Sequence, residues 1–336
     1  MIDAKYIVEN TLVPHTAFEK AASRLEQCYN YANGASEPIC IAILGESRTG
    51  KSRVLEECYT KHPQVRNEDG LTVPILRVKV PSKPTVKSLA EIMLYAMRDD
   101  KFDKGTENVK TNRLRLLMRN TGTKMVMLDE FQHFYDMGTS KIMHHVADWL
   151  KILVDDCRVA LVVAGLEKCS AVINQNEQLA GRFLSPIVMP RFKWENVEHR
   201  EEFIGILGAF QDSIGSTFDI PDFDSADMAF RFYCGTGGLV GYLSKFLRQV
   251  VWNAIENNRK SISIEDLAFA HMESVWSKET LSDISSPFSR DFKPVPSIAL
   301  LDKIAMIGVP VEPIEPPRKR KAKAISSSSR QVLSAS

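Results

Sequence analysis

Eight consecutive residues, Gly45, Glu46, Ser47, Arg48, Thr49, Gly50, Lys51 and Ser52, set two glycines, a lysine and a serine at the spacing of a loop that wraps phosphate groups. Glycine lets the backbone turn tightly, so the N–H groups of roughly Arg48 to Ser52 converge on anionic oxygens at the positive end of the helix that follows. Lys51 then reaches the β- and γ-phosphates of a nucleoside triphosphate, the Ser52 hydroxyl holds Mg²⁺, and Arg53 completes the residues expected around the nucleotide. Farther along, Lys124 to Glu130 carries four apolar residues and then two acids. At the end of a strand Asp129 is placed to orient the Mg²⁺ hydration shell, and Glu130 to draw a proton from an attacking water. The chemistry these residues suit is hydrolysis of a triphosphate.

The elements around them have the required kinds. Ile39, Ile41, Ile43 and Leu44 form an apolar strand just before the loop, and Val54, Leu55 and Cys58 form one face of a helix just after it. Val73 to Val80 reads as the next strand, closed by the loop Pro81 to Thr85, and Val86 to Met97 as a helix. Val159 to Ala164 is a further buried strand, Lys141 to Val154 a helix with an apolar stripe, and Ser185 to Met189 a short last strand. Ligands in such open parallel sheets sit outside the carboxyl ends of the strands, which is where both motifs fall. From Phe192 the pattern is helical, with helices near 196–212, 223–234, 239–257 and 264–277. The fold class is therefore α/β, a central parallel sheet flanked by helices with a small all-α lid. The predicted division is a helical lead-in over 1–35, with a helix from Thr16 to Tyr31, an ATPase domain over 36–191, a lid over 192–281 and a Pro/Ser-rich linker with a basic tail over 282–336. Val13, Pro14 and His15 are either a packing arm or part of the adenine wall.

With 336 residues and 44 % apolar content the chain can bury a sizeable core, and no apolar run reaches the ~18 residues a membrane helix needs. Asp3, Lys5 and Glu9 speak against a secretory leader, so a cytoplasmic protein is expected. The six cysteines form no C-x-x-C pair and read as small hydrophobes. Residues 316–336 hold six of the 43 basic side chains and none of the 42 acids, so the rest carries 37 against 42, a net of −5. Binding of a polyanion by that body must come from local patches. The helix in the later part of 98–120 is predicted to bury Leu114, Leu117 and Met118 and to turn Lys110, Arg113, Arg115 and Arg119 outward.

The runs GESRTGKS, VMLDEFQHF and LAGRF, in this order and followed by a helical lid, resemble the AAA+ ATPases, and more narrowly the TnsC/TniB transposition regulators. The PSKPT loop, the DE-x-x-H run and the lid size carry the narrower likeness, and the compact length is similar to TnsC of CRISPR-associated transposons. The resemblance implies a bacterial, DNA-associated ATPase that assembles as a ring or filament on double-stranded DNA. It also implies recruitment by a TniQ-type targeting factor and contact with a TnsA/TnsB-type transposase. Lys83, Lys104, Lys110 and Arg113 are the DNA-contact candidates in the bore. Arg182 is the expected arginine finger acting on a neighbouring subunit's γ-phosphate, with Arg191 as the alternative. Two departures stand out. Gly165 occupies the end of the strand where relatives place a polar sensor, and Gly241 the lid position where they place an arginine, leaving Lys245 as substitute. His133 is a γ-phosphate sensor, a residue coupling the site to a partner, or a packing residue. The competing function is a STAND-like switch that holds nucleotide to act on protein partners without DNA.

Overall fold

The computed structural model describes residues 4–309 apart from 14, 33, 35, 69, 138 and 276–285. The basic run from Arg318 to Arg330 lies outside the described residues. The strands are β1 (Cys40–Leu44), β2 (Val65–Asn67), β3 (Gly70–Thr72), β4 (Ile75–Lys79), β5 (Met125–Asp129), β6 (Ala160–Gly165) and β7 (Ile187–Val188). Five of them form one sheet in the order β4-β5-β6-β1-β7. Its pairings are parallel throughout.

Every residue of β1, β5 and β6 is buried, as expected of strands covered on both faces. Alternation then sorts their side chains. Ile41 and Ile43 pack with α2 (Thr16–Tyr31) and α3 (Lys51–Lys61) on one face, whereas Ala42 and Leu44 join the layer containing α4 (Val86–Ala96), α5 (Glu107–Asn120) and α7 (Ser140–Cys157) on the other. A fully buried Leu, Ile or Phe in these layers contributes about 1.5–3 kcal/mol. The lid is a third core, built by α10 (Val197–Gly215), α11 (Ala226–Thr236), α12 (Val240–Glu256) and α13 (Ile264–Ser274). It also takes in Ile7 and Val8 of the short α1 (Ile7–Asn10) and Leu301 and Ile304 of the closing helix Ile298–Ala305.

Register places the site. Leu44 pairs with Gly165 and Lys79 with Asp129, so the strand ends of β1, β4, β5 and β6 lie along one edge of the sheet. The loop 45–50, Glu130 and Leu166 all leave from that edge. Two expectations are corrected at strand ends. The strand predicted over Val73 to Val80 starts at Ile75 because Pro74 precedes it, and the one over Ser185 to Met189 shrinks to Ile187–Val188 between Pro186 and Pro190. The antiparallel β2–β3 hairpin is new. Its three-residue strands are largely exposed and carry no alternating apolar signal. No helix among the described residues is long and apolar enough to cross a membrane.

Candidate nucleotide-binding site

The loop between β1 and α3 is shaped by backbone conformations that ordinary side chains resist. Gly45 has φ +154°, and a Cβ there would meet the Met189 carbonyl oxygen at 2.4 Å, so any side chain would push β1 and the segment after β7 apart. Gly50, at φ 96°, starts α3. Arg48 also adopts a positive φ of 67°, held by its carbonyl accepting the Gly241 N–H at 2.8 Å and by its guanidinium lying 4.6 Å over the Tyr242 ring. Thr49 donates its hydroxyl to the Glu46 carbonyl at 2.9 Å.

Lys51 is buried and donates to the carbonyls of Gly45, at 2.9 Å, and of Glu46. Burial lowers its pKa, and the negative charges of Glu130 and Asp129 work in the opposite direction. A cation held only by carbonyl oxygens beside two carboxylates is poised to move onto phosphate oxygens. Together with Ser47, Arg48, Ser52, Asp129, Glu130 and Gln132 it lines a cavity of about 440 Å³. The oxygen donors of Ser52 and Asp129 in that cavity are the hard ligand set that Mg²⁺ takes alongside phosphates.

The two acids differ in environment. Asp129 is buried, and one of its oxygens accepts the Glu130 N–H at 2.9 Å. Glu130 sits at φ 56°, an uncommon conformation for a side-chain-bearing residue and one that clusters at functional sites. Its Oε1 is 3.6 Å from the Lys79 ammonium, and its Oε2 accepts from the Gln132 amide. Gln132 is buried and in turn accepts the Leu166 N–H at 3.3 Å. A Cβ at Gly165 would stand 2.3 Å from Gln132 Oε1 and 2.6 Å from Cys169 Sγ. The missing polar side chain at the end of β6 is therefore accounted for: Gln132, from the turn after β5, occupies that space. Sequence reasoning passed over Gln132 in favour of its neighbour. His133 instead donates from Nδ1 to the Val80 carbonyl at 2.9 Å, tying the ends of β5 and β4 together.

A second cavity, of about 560 Å³, adjoins the first through Arg48, Gly50, Arg53 and Gly241, and is walled by Val13, His15, Phe18, Val240, Ser244 and Lys245. His15 is buried, its pKa lowered by that burial against the pull of Glu202 and Glu19, and its Nδ1 has no hydrogen-bond partner among the described residues. A slot that sets Val13, Phe18 and Val240 beside basic side chains and one unpaired buried nitrogen suits a planar base next to phosphates. Gly241 is explained by contact. A Cβ there would lie 2.8 Å from both the Cβ and the carbonyl oxygen of Arg48, so the lid rests directly on the phosphate loop and has no room for an arginine. Lys245 does line the slot, its pKa lowered by burial and by the neighbouring Arg48 and Arg248.

Other candidates lie elsewhere. Arg182 pairs with Asp155 at 2.8 Å, donates to the Gln178 carbonyl at 2.7 Å and, through its own carbonyl, accepts the N–H of Cys40. Cys40 begins β1, so the strand's length, roughly 13 Å at 3.3 Å per residue, separates Arg182 from its own phosphate loop. Arg191 is corrected as a finger candidate. Its guanidinium pairs with Glu46 at 2.7 Å and donates to the carbonyls of Gly237 and Ile307, each at 2.8 Å, joining the loop, the lid and the closing segment within one chain.

Lys110 is also corrected. It is fully buried, its ammonium 3.0 Å from Glu91 and 2.7 Å from the Phe102 carbonyl, because α5 packs against α4 on that side. Arg113 pairs with Asp99 at 2.7 Å. Lys83 and Lys104 remain exposed. Lys110→Ala is expected to lower stability by on the order of 2–3 kcal/mol, somewhat less than for a fully buried ion pair because Glu91 keeps partial solvent access. Thermal unfolding checks the loss.

The model of the family described as bacterial TniB protein matches residues 3–194. No curated protein matches the chain. Among solved structures, Cdc6p from Pyrobaculum aerophilum aligns over 84 % of this chain and 75 % of its own, with TM-score 0.59 and 16 % identity. The Aeropyrum pernix ORC2 protein, in ADPNP-ADP complexes, aligns over 83 % and 74 % with TM-score 0.58 and 13 % identity. Aeropyrum pernix ORC1, in complex with DNA, aligns over 83 % and 71 % with TM-score 0.55 and 13 % identity. At such identities the likeness is one of fold, a parallel sheet flanked by helices and followed by a helical lid.

Proposed function

This chain belongs to the bacterial TniB family, and from that premise we propose that it is an ATPase that assembles on double-stranded DNA and regulates transposition. The observation that carries the reading is the convergence of Lys51, Ser52, Asp129 and Glu130 on one cavity beside a base-sized slot. The base enters between Val13, His15 and Phe18 on one side and α12 on the other, and the phosphates lie along Glu46 to Ser52. Lys51 exchanges the Gly45 and Glu46 carbonyls for β- and γ-phosphate oxygens. Ser52 and Asp129 are the residues that would hold Mg²⁺, which would supply positive charge beside the phosphates. Glu130 accepts the proton of the attacking water, and Gln132 holds its carboxylate in place.

Arg182 lies beside the start of β1, at the opposite end of that strand from the phosphate loop, so we assign it to the site of a second copy, where its fork of donors and permanent charge suit a transition state with spread negative charge. On assembly it exchanges Asp155 for phosphate. The DNA complex of a solved structure with the same fold supports a duplex partner, held through its phosphates by exposed lysines such as Lys83 and Lys104 with strong salt dependence and little sequence readout. Control by a TniQ-type factor upstream and a TnsA/TnsB-type transposase downstream, as in TnsC, completes the proposal.

Electron microscopy and sedimentation of the protein with duplex DNA and a non-hydrolysable ATP analogue test it directly. A ring or filament is expected at low salt, and a monomer under those conditions overturns the reading. Arg182→Ala is expected to bind nucleotide as wild type does and to lose about 10³-fold in DNA-stimulated turnover. Turnover that DNA does not change would point instead to a switch acting on protein partners.

A further inference from the structure

At the far end of α3 from the phosphate loop, about 16 Å along the helix at 1.5 Å per residue, three unlike side chains meet. Cys58 lies in the last turn of α3 and His62 immediately after its end, and Glu26 reaches them from α2. The thiol sulfur, an imidazole nitrogen and a carboxylate oxygen lie within 4.8 Å of one another. His62 Nε2 and Glu26 Oε2 are already 3.0 Å apart. Tetrahedral zinc with sulfur at 2.3 Å and nitrogen or oxygen near 2.0–2.1 Å sets its ligands roughly 3.3–3.6 Å apart, so small side-chain adjustments close the site.

A second observation points the same way. The other Glu26 oxygen, Oε1, is buried with no hydrogen-bond partner among the described residues. A simple His–Glu ion pair leaves the carboxylate with only the weak donor of the Cys58 thiol besides the imidazole, and a bound cation would satisfy it more fully. The His62 ring is held in position by stacking on Tyr29, with centroids 3.7 Å apart.

We propose that Glu26, Cys58 and His62 bind a zinc ion that clamps α2 to α3. Thiolate, imidazole and carboxylate together select zinc over Mg²⁺ or Ca²⁺, which take all-oxygen sites. Three protein ligands leave a fourth position for water. The side chains of His62 and Glu26 are 20 % and 29 % exposed, which gives the ion a path inward. On binding, the Cys58 proton leaves to solvent and the imidazole coordinates through Nε2 with its proton on Nδ1. The clamp joins the two helices that frame the nucleotide, since α2 starts next to the His15 wall of the base slot and α3 starts at Lys51. The ion therefore braces the site without taking part in its chemistry.

The test uses the full chain, stripped with a chelator and titrated with Zn²⁺ against a chromophoric competitor, and separately with Co²⁺. Expected are one equivalent of zinc per chain, a thiolate-to-cobalt charge-transfer band and a higher Tm with zinc. Loss of a supporting residue around a zinc ligand costs 10- to 100-fold in affinity, so loss of a ligand is expected to cost about 10²-fold or more. Cys58 is 1 % exposed and packs in the core, so the deciding variant is His62→Gln at the surface, with Glu26→Gln beside it. Wild type that yields all its zinc to the competitor, or His62→Gln that binds as tightly as wild type, overturns the proposal. None of these readouts depends on ATP turnover, so the outcome is independent of the functional reading above.

Discussion

Glu130→Gln is expected to bind ATP as tightly as wild type and to hydrolyse it about 10³-fold more slowly, within the range that a positioned general base contributes. The amide keeps the shape of the carboxylate and an acceptor oxygen, but it cannot take the proton of the attacking water. Glu130 is the acid fit for this role because its carboxylate stands at the cavity, with Gln132 on one oxygen and Lys79 on the other. Asp129 is buried and already accepts the following N–H. Phosphate release measured at saturating ATP, beside affinity from a fluorescent nucleotide, separates the two effects. A loss below tenfold would remove Glu130 from the role of base.

Gln132→Ala is expected to lower kcat by about 10²-fold with little change in ATP affinity, the scale on which a single preorganised polar group acts on developing charge. Two arrangements make the effect large. Gln132 is the side chain that holds Glu130, and it occupies the place at the end of β6 from which a polar group would face the γ-phosphate. The same geometry makes Gly165 a test of the idea. Gly165→Ala would bring a Cβ to 2.3 Å from Gln132 Oε1 and 2.6 Å from Cys169 Sγ, displacing the glutamine, so its rate should fall on the same scale. Because both changes act through one side chain, the double variant should be no slower than the slower single one. Losses that multiply across the pair would show that the two positions act separately.

Much of this site is legible in the residues themselves. A glycine turn between an apolar strand and an apolar helix face can be read from Ile39 to Cys58, and so can the strand ending at Asp129, because each depends on local periodicity and on chemistry within a few residues. The helix Thr16–Tyr31 follows its apolar stripe to both ends. Arg182 and the exposed Lys83 and Lys104 stay as residues whose proposed partners belong to other molecules.

What the tertiary structure alone decided are the pairings between distant segments. Lys110 looks like a surface cation on a helical wheel, yet Glu91 and the Phe102 carbonyl supply the partners that let it be buried. Gly241 reads as a missing arginine until Arg48 is seen against it, and Gly165 as a missing sensor until Gln132 fills its space. Arg191 becomes a cross-link only when the loop, the lid and the residues around Ile307 come together. Glu26, Cys58 and His62 become a cluster only when α2 packs on α3. The sequence by itself determined which groups can act on a phosphate, since reactivity and helix or strand periodicity are local properties. The fold decided which of them stand within bonding distance, because burial and ion pairing depend on neighbours that no spacing along the chain specifies.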